Sequence, residues 1–258
     1  MADSHQRMLD ANQLAARHEH RERIWREMLR VCRPDSRFHW DFSSFIADFE
    51  GSEQSALRVR QLEAYQACGR LFITPDNATE HLRRHAILDG KTVVMTTYAI
   101  TRGFLVLEPG TVPAGEERYA ATLDGMDTFA TPTTLAELST GEPIGLLATG
   151  GSAVATNGVR FGKGHGYFDL EWALMSETGV AGPDAQIVDL VHDCQVVEDD
   201  LAGLDHDAPV DWIVTPTRTL RTTPAHRRRP GRVFWDLLAG SALETTPPVV
   251  ELRALKGM

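Results

Sequence analysis

The sequence predicts an α/β fold, and three features of its 258 residues carry that expectation. Short apolar, β-branched runs such as "GRLFITP", "KTVVMTTY" and "AQIVDLVH" alternate with helical stretches. The first two enclose the helical "NATEHLRRHAILDG" within about thirty residues, and a strand, helix and strand so close together form a parallel βαβ unit. The third feature is the loop "FGKGHG", with glycine at every second position, between a strand and an amphipathic helix.

Taken in order, residues 12–31 predict a helix with Leu14, Ile24, Trp25, Met28 and Leu29 on one side and "RHEHRER" on the other. "RPDSRFHWDFSSF" is a connection whose Phe38, Trp40 and Phe42 read as core or interface. Ser52 and Glu53 open a second helix carrying Ala56, Leu57, Leu62 and Tyr65. Pro75 and Asp76 end the strand "GRLFITP" and cap the following helix. "GFLVLEP" is a strand, and residues 107–140, rich in Pro, Gly and Thr, predict a long loop. "PIGLLATG" and "SAVAT" are strands, "NG" at 157–158 is a tight turn, and a helix is expected over 167–178. "AQIVDLVH" and "VDWIVTPTRTL" are further strands, and "RVFWDLLAG" is a closing helix. One domain over 1–258 is expected, with a helical part at 1–68 and a basic loop and tail at 222–258.

Composition narrows the functional classes. The net charge of −10 argues against a nucleic-acid binder, whose surface must be cationic. The charge is uneven: no Lys or Arg occurs from Asp169 to Asp211, and a basic run including Arg227–Arg229 follows. No apolar run is long enough for a membrane span, and "MADSHQRMLDANQ" lacks the apolar core of a secretory signal. Cys32, Cys68 and Cys194 form no C-x-x-C pair, so free thiols and a cytoplasmic location are expected.

The glycine loop has a physical reading of its own. Glycines leave successive N–H groups free to turn toward one anion, and the helix behind them adds its positive end. Arg160 and Lys163 supply cations, and Asp169 at the helix opening could hold Mg²⁺ against phosphate oxygens. The spacing is neither a Walker loop nor the dinucleotide fingerprint, and by itself it fits a structural turn as well as a phosphate cradle.

"NGVRFGKGHGYFD" resembles the G-x-R-[hydrophobic]-G-x-G-x-G-Y-Y-D signature of the 5-formyltetrahydrofolate cyclo-ligases, or methenyltetrahydrofolate synthetases. The chain is most similar to a cyclo-ligase-like offshoot through His192–Asp193 with "QVV", His206–Asp207 with "PVDWIVTPTR", and Trp235–Leu238; the likeness runs from about residue 17 to 238. The resemblance implies a Rossmann-like three-layer α/β/α sandwich with a mostly parallel sheet that binds ATP and Mg²⁺. In such enzymes ATP phosphorylates the formyl oxygen, N10 attacks the activated carbon, and phosphate leaves. Carried onto this sequence, the catalytic positions are Arg160, Lys163 and Tyr167. The nucleotide-binding positions are Arg17, Arg21, Gly162, Gly164, His165 and Gly166, and the metal position is Asp169.

Departures accompany the likeness. His165 stands where many cyclo-ligases have Lys or Gly, and Phe168 replaces the second Tyr. The family's acidic folate-contacting stretch is absent, and "ITPDNATEH" offers only Asp76 and Glu80 in its place. The nucleotide half of the site is therefore expected to be kept and the folate half altered. The small-molecule substrate would be folate or another N-acyl compound; a non-catalytic nucleotide-binding or regulatory protein is the alternative. Beyond the loop, His192 ends a strand where α/β clefts form, and Thr215, Thr217 and Arg218 are further candidates. His206 reads as structural, and Asp193 and Asp211 as anchoring carboxylates.

Overall fold

The structure, a computed structural model, describes residues 11–223 and 230–258. Helix α1 (Ala11–Met28) leads through residues 29–51 to α2 (Ser52–Arg60) and α3 (Glu63–Ala67). Strand β1 (Arg70–Ile73), helix α4 (Glu80–Leu88) and strand β2 (Thr92–Thr96) are the expected βαβ unit, with Leu71 beside Val93 in parallel register. β3 (Phe104–Leu107) returns antiparallel to β2 and is followed by α5 (Glu117–Ala120), α6 (Leu123–Phe129), β4 (Thr131–Thr133) and α7 (Leu135–Ser139). Then come β5 (Ile144–Thr149), β6 (Ala153–Ala155), β7 (Arg160–Phe161), α8 (Tyr167–Glu177) and β8 (Ala181–Leu190). β9 (Val196–Val197), β10 (Trp212–Val214), β11 (Thr219–Arg221), α9 (Trp235–Leu238) and α10 (Pro247–Leu255) complete the chain.

Eight strands form one sheet in the order β11-β10-β8-β5-β1-β2-β3-β4, and its five central strands run parallel. Successive side chains of a strand point to opposite faces, so each central strand feeds two cores. Leu71, Ile73, Val93, Met95 and Val188 pack toward α2, α4 and α6, through Val59, Leu82 and Met126. Phe72, Val94, Leu147 and Ile187 pack toward α7, α8 and α10, through Leu138, Leu174 and Leu252. The result is the expected three-layer α/β/α sandwich with a mostly parallel sheet. A smaller sheet, β7-β6-β9, carries a third core in which Ile24 and Met28 of α1 meet Phe42, Phe45, Phe49 and Phe161.

Several expectations need correction. Helix α1 ends at Met28, and Leu14 and Leu29 are exposed, because only its second half reaches the third core. The second helix breaks at Gln61–Leu62 into α2 and α3. Residues 107–140 are not one long loop but hold three helices and an edge strand, each too short for periodicity to reveal. The expected tail contains α10, opened by proline in its first turn. Asp76 makes no side-chain cap; its carboxylate turns instead toward Thr74, whose Oγ1 donates to it at 2.6 Å. The basic run Arg227–Arg229 lies outside the described residues.

From β1 the chain crosses to β2 on one side, whereas β5 leads on to β8 and β10 on the other. A crevice forms where the winding reverses, beyond the carboxyl ends of β1 and β5.

Candidate functional site

The glycine loop, residues 162–166, joins β7 to α8 at that crevice. Gly164 (φ 103°) and Gly166 (φ 69°) adopt left-handed conformations that a side chain would strain. An ideal Cβ on Gly162 would stand 3.3 Å from Arg160 Nη2. Gly166 precedes α8 without a side-chain cap, so the first N–H groups of the helix are not met by a capping side chain.

Thr74 and Asp76 come from the end of β1, Tyr98 from the turn after β2, and Lys163 and Tyr167 from the loop and α8. Residues 43–45 close over the loop. Lys163 Nζ donates to the Ser44 carbonyl at 3.3 Å and lies 5.4 Å from the ring centres of both Tyr98 and Tyr167. Tyr98 Oη donates to the same carbonyl at 2.7 Å, and His165 Nε2 lies 3.3 Å from the Ser43 carbonyl. Phe38 stacks on Phe45 with ring centres 4.8 Å apart, and both line the crevice.

The floor is acidic and buried. Arg160 is 6 % exposed; its guanidinium donates to the Gly150 carbonyl at 3.2 Å and lies 4.8 Å from the Phe168 ring centre. Its Nη1 stands 3.7 Å from Asp169 Oδ1, which also accepts the Ala208 N–H at 2.9 Å. Burial pushes the Asp169 carboxyl up from the usual range, against the pull of Arg160 and with the push of Asp207. Burial likewise raises Glu171 to about 8, although Thr96 Oγ1 donates to its Oε1. Asp189 is raised to about 7, and both its oxygens are buried without a hydrogen bond among the described residues.

Helix α1 brings two more cations to the loop, since Arg17 and Arg21, four residues apart, share a face. Their guanidinium carbons lie 5.7 Å and 5.3 Å from the Phe161 ring centre, and Arg21 Nη2 would stand 4.0 Å from a Cβ on Gly164. Arg17 donates to Asp207 Oδ2 and to the Ala202 carbonyl, both at 2.7 Å. The Nε atoms of both arginines are buried without partners among the described residues. Burial, then the nearby Arg17, lowers the Arg21 pKa. Arg17 is thus engaged by Asp207, and Arg21 is the cation that stands beside Gly164.

Mg²⁺ fits this donor set. It keeps several waters and takes one or two carboxylates plus phosphate oxygens. Asp169 borders the crevice beside the loop, and no hydrogen bond reaches its Oδ2 among the described residues. Those residues hold no cluster of three or more His, Cys, Asp or Glu able to bind a metal by themselves.

Comparison with known proteins settles the relationship. The family described as 5-formyltetrahydrofolate cyclo-ligase matches residues 13–216. The chain belongs to the 5-formyltetrahydrofolate cyclo-ligase family. Proteins named methenyltetrahydrofolate synthase domain-containing protein are 32% identical over 236 residues in Mus musculus, covering 90% of this chain and 62% of that one. The Bos taurus protein of that name is 32% identical over 211 residues, covering 81% and 54%. This chain therefore spans about half to three fifths of those relatives' length. The NMR structure of Aquifex aeolicus 5,10-methenyltetrahydrofolate synthetase aligns at 15% identity with a TM-score of 0.47, over 82% of this chain and 95% of that one.

Within this cyclo-ligase fold, the residues expected from the signature gather in one place: Arg17, Arg21, Arg160, Lys163, His165, Tyr167 and Asp169 all surround the loop. The other candidates do not. His192 packs on Phe49 and accepts the Cys194 N–H, and Thr215 and Thr217 both donate to Asp193 at 2.6 Å. Arg218 stands 3.7 Å from the same carboxylate, and Asp211 accepts the Ile187 N–H at 2.7 Å. His206 borders a second cleft behind the loop. Sequence reasoning missed Tyr98 and Glu171, which line the crevice from the turn after β2 and from α8, and Thr96, whose hydroxyl donates to Glu171. Of the two acids expected near the first strand, Asp76 borders the crevice and Glu80 does not.

Proposed function

We propose that this cyclo-ligase family member binds ATP on the glycine loop and transfers its γ-phosphoryl group to the amide or formamide oxygen of a small N-acyl compound held in the crevice. A nitrogen of that compound then attacks the activated carbon, and phosphate departs. The observation that carries the reading is the loop itself: the left-handed Gly164 and Gly166 lead into α8, Arg21 stands beside Gly164, and Lys163 lines the crevice in front. Arg17, Arg21 and Lys163 hold phosphate oxygens, which positions the phosphoryl group and offsets its charge. Asp169 is the residue that would hold Mg²⁺, whose chemistry is to neutralise charge on the phosphates. Arg160, pinned on the Gly150 carbonyl, fixes the loop against Asp169. Tyr98 and Tyr167 flank Lys163 and keep its ammonium at the entrance.

The acyl half departs from a folate site. Asp76 is the acid left near the first strand, Phe168 offers no hydroxyl, and Phe38 and Phe45 narrow the mouth. 5-Formyltetrahydrofolate is thus expected to be a poor substrate and a different N-acyl compound the preferred one. Calorimetry should show ATP binding by the wild type and its loss in Gly164→Val, whose strained loop lies outside the three cores. No adenine nucleotide binding with or without Mg²⁺ would end the proposal. The near-ultraviolet absorbance of methenyltetrahydrofolate follows folate turnover, and a rate near the median enzyme value of about 10 per second would restore the plain folate reading. ATP binding without turnover of any N-acyl compound would favour the non-catalytic alternative.

A further inference from the structure

The glycine loop has a second side. Behind it lies another cleft, of about 710 Å³ to its open mouth, bordered by Gly164, His165, Gly166 and Asp169 on the loop side. The same four residues border or adjoin the crevice in front, so the loop is a partition between two clefts. The far wall comes from residues 232–243, which lie beyond the stretch 13–216 shared with the cyclo-ligase family.

That wall is firmly placed. Val233 donates its N–H to Glu177 Oε1 at 2.6 Å, and Glu177 Oε2 pairs with Lys256. Gly231 lies so close to α8 that a Cβ would stand 2.8 Å from Trp172 Cδ2 and 2.9 Å from Ala173 Cα. Three flat groups gather on it. The Arg232 guanidinium carbon is 4.5 Å from the Phe234 ring centre, and His206 meets Phe234 edge-on at 5.9 Å. Leu170, Leu238 and Leu243 supply an apolar lining, and Leu237 beside them is 48% exposed. An apolar slot rimmed by planar and cationic groups suits a flat heteroaromatic ring, which stacks on aromatic and guanidinium faces. It opens directly onto the N–H groups of a loop shaped for phosphate.

We infer that this rear cleft receives the purine base of the nucleotide, with Phe234 as its stacking platform, while the acyl substrate enters from the front. The inference rests on the proposed binding of ATP at the loop. The two reactants then approach the partition from opposite sides, so neither blocks the other, and only the phosphate chain crosses.

Photolabelling of the full chain with 8-azido-ATP tests the placement without altering the protein. Label on the peptide containing Phe234 is the expected result; label on the peptides containing Phe38 or Tyr98 would overturn it. Binding measurements separate base from phosphate. Phe234→Ala and Leu237→Glu should weaken ATP about tenfold to a hundredfold, the usual loss for a stacked base, while inorganic tripolyphosphate binds as in the wild type. Unchanged ATP affinity in both variants overturns the inference and leaves the loop reading standing. A wild type that binds neither ATP nor tripolyphosphate removes the loop reading instead.

Discussion

Asp169 is asked to do two things, and a single substitution separates them. It accepts the Ala208 N–H and faces Arg160, which is a structural task at the opening of α8. As a metal ligand it would present its other oxygen to Mg²⁺. Asn keeps the acceptor for Ala208 and removes the charge, at a helix-opening cost of about 0.3–1 kcal/mol. Asp169→Asn should therefore bind ATP almost equally with Mg²⁺ and with EDTA, whereas the wild type should bind more tightly with Mg²⁺. Calorimetry in the two buffers reads the difference. Equal Mg²⁺ dependence in both proteins would reduce Asp169 to a structural partner of Arg160. The neighbouring Lys163 shows why such roles are hidden in a sequence: its ammonium is placed by Ser44, Tyr98 and Tyr167, two of them more than sixty residues away in the chain.

Helix α1 shows the same dependence among secondary elements. It carries Arg17 and Arg21 to the loop, and among the described residues Ile24 and Met28 are its fully buried anchors in the third core, with Trp25 packed beside them and the Arg17–Asp207 pair as a further tie. Truncating a buried Ile removes about 2–5 kcal/mol. In Ile24→Ala that loss should fall on the docking of α1 rather than on the whole fold, because the two main cores do not contain it. Trypsin should then cut α1 at its arginines faster, and ATP affinity should fall with the loosened cations. Wild-type rates of cleavage would mean that something other than the third core holds the helix. The central elements were legible because each is a continuous apolar run between turn residues, and the β1–α4–β2 unit follows from that alone. The short helices of 107–140 were not, although the capping box of Thr134 and Glu137 was there to be seen. The site divides in the same way: the loop and its cations were readable as a motif, whereas Tyr98 reaches the crevice from the turn after β2 only because the fold brings that turn against α8.

The sheet as a whole carries buried acid at the point where its winding reverses, and that should give the molecule a measurable pH dependence. Asp189, near the end of β8, is fully enclosed; burial raises it from 3.8 to about 7, Arg160 pulls it down, and Asp76 pushes it up. A carboxyl whose folded pKa is raised holds its proton in the folded state after the unfolded chain has lost it. The contribution of Asp189 to stability is therefore greatest below about pH 4, falls as the pH rises toward 7, and levels above that. Asp169 and Glu171 push in the same direction, whereas His85 and His192, whose pKa values burial lowers, contribute stability that grows as the pH rises toward 6.5. Comparing the wild type with Asp189→Asn, a neutral mimic of the protonated acid, cancels those other groups. The melting temperature of the variant should rise relative to the wild type between pH 5 and pH 8, by several degrees, since about 1 kcal/mol moves a chain of this size by about 2–4 °C. Melting curves that shift in parallel across that range would show that Asp189 is charged in the folded protein. Arg160 would then be its counter-ion, and its grip on the glycine loop would be shared between two carboxylates.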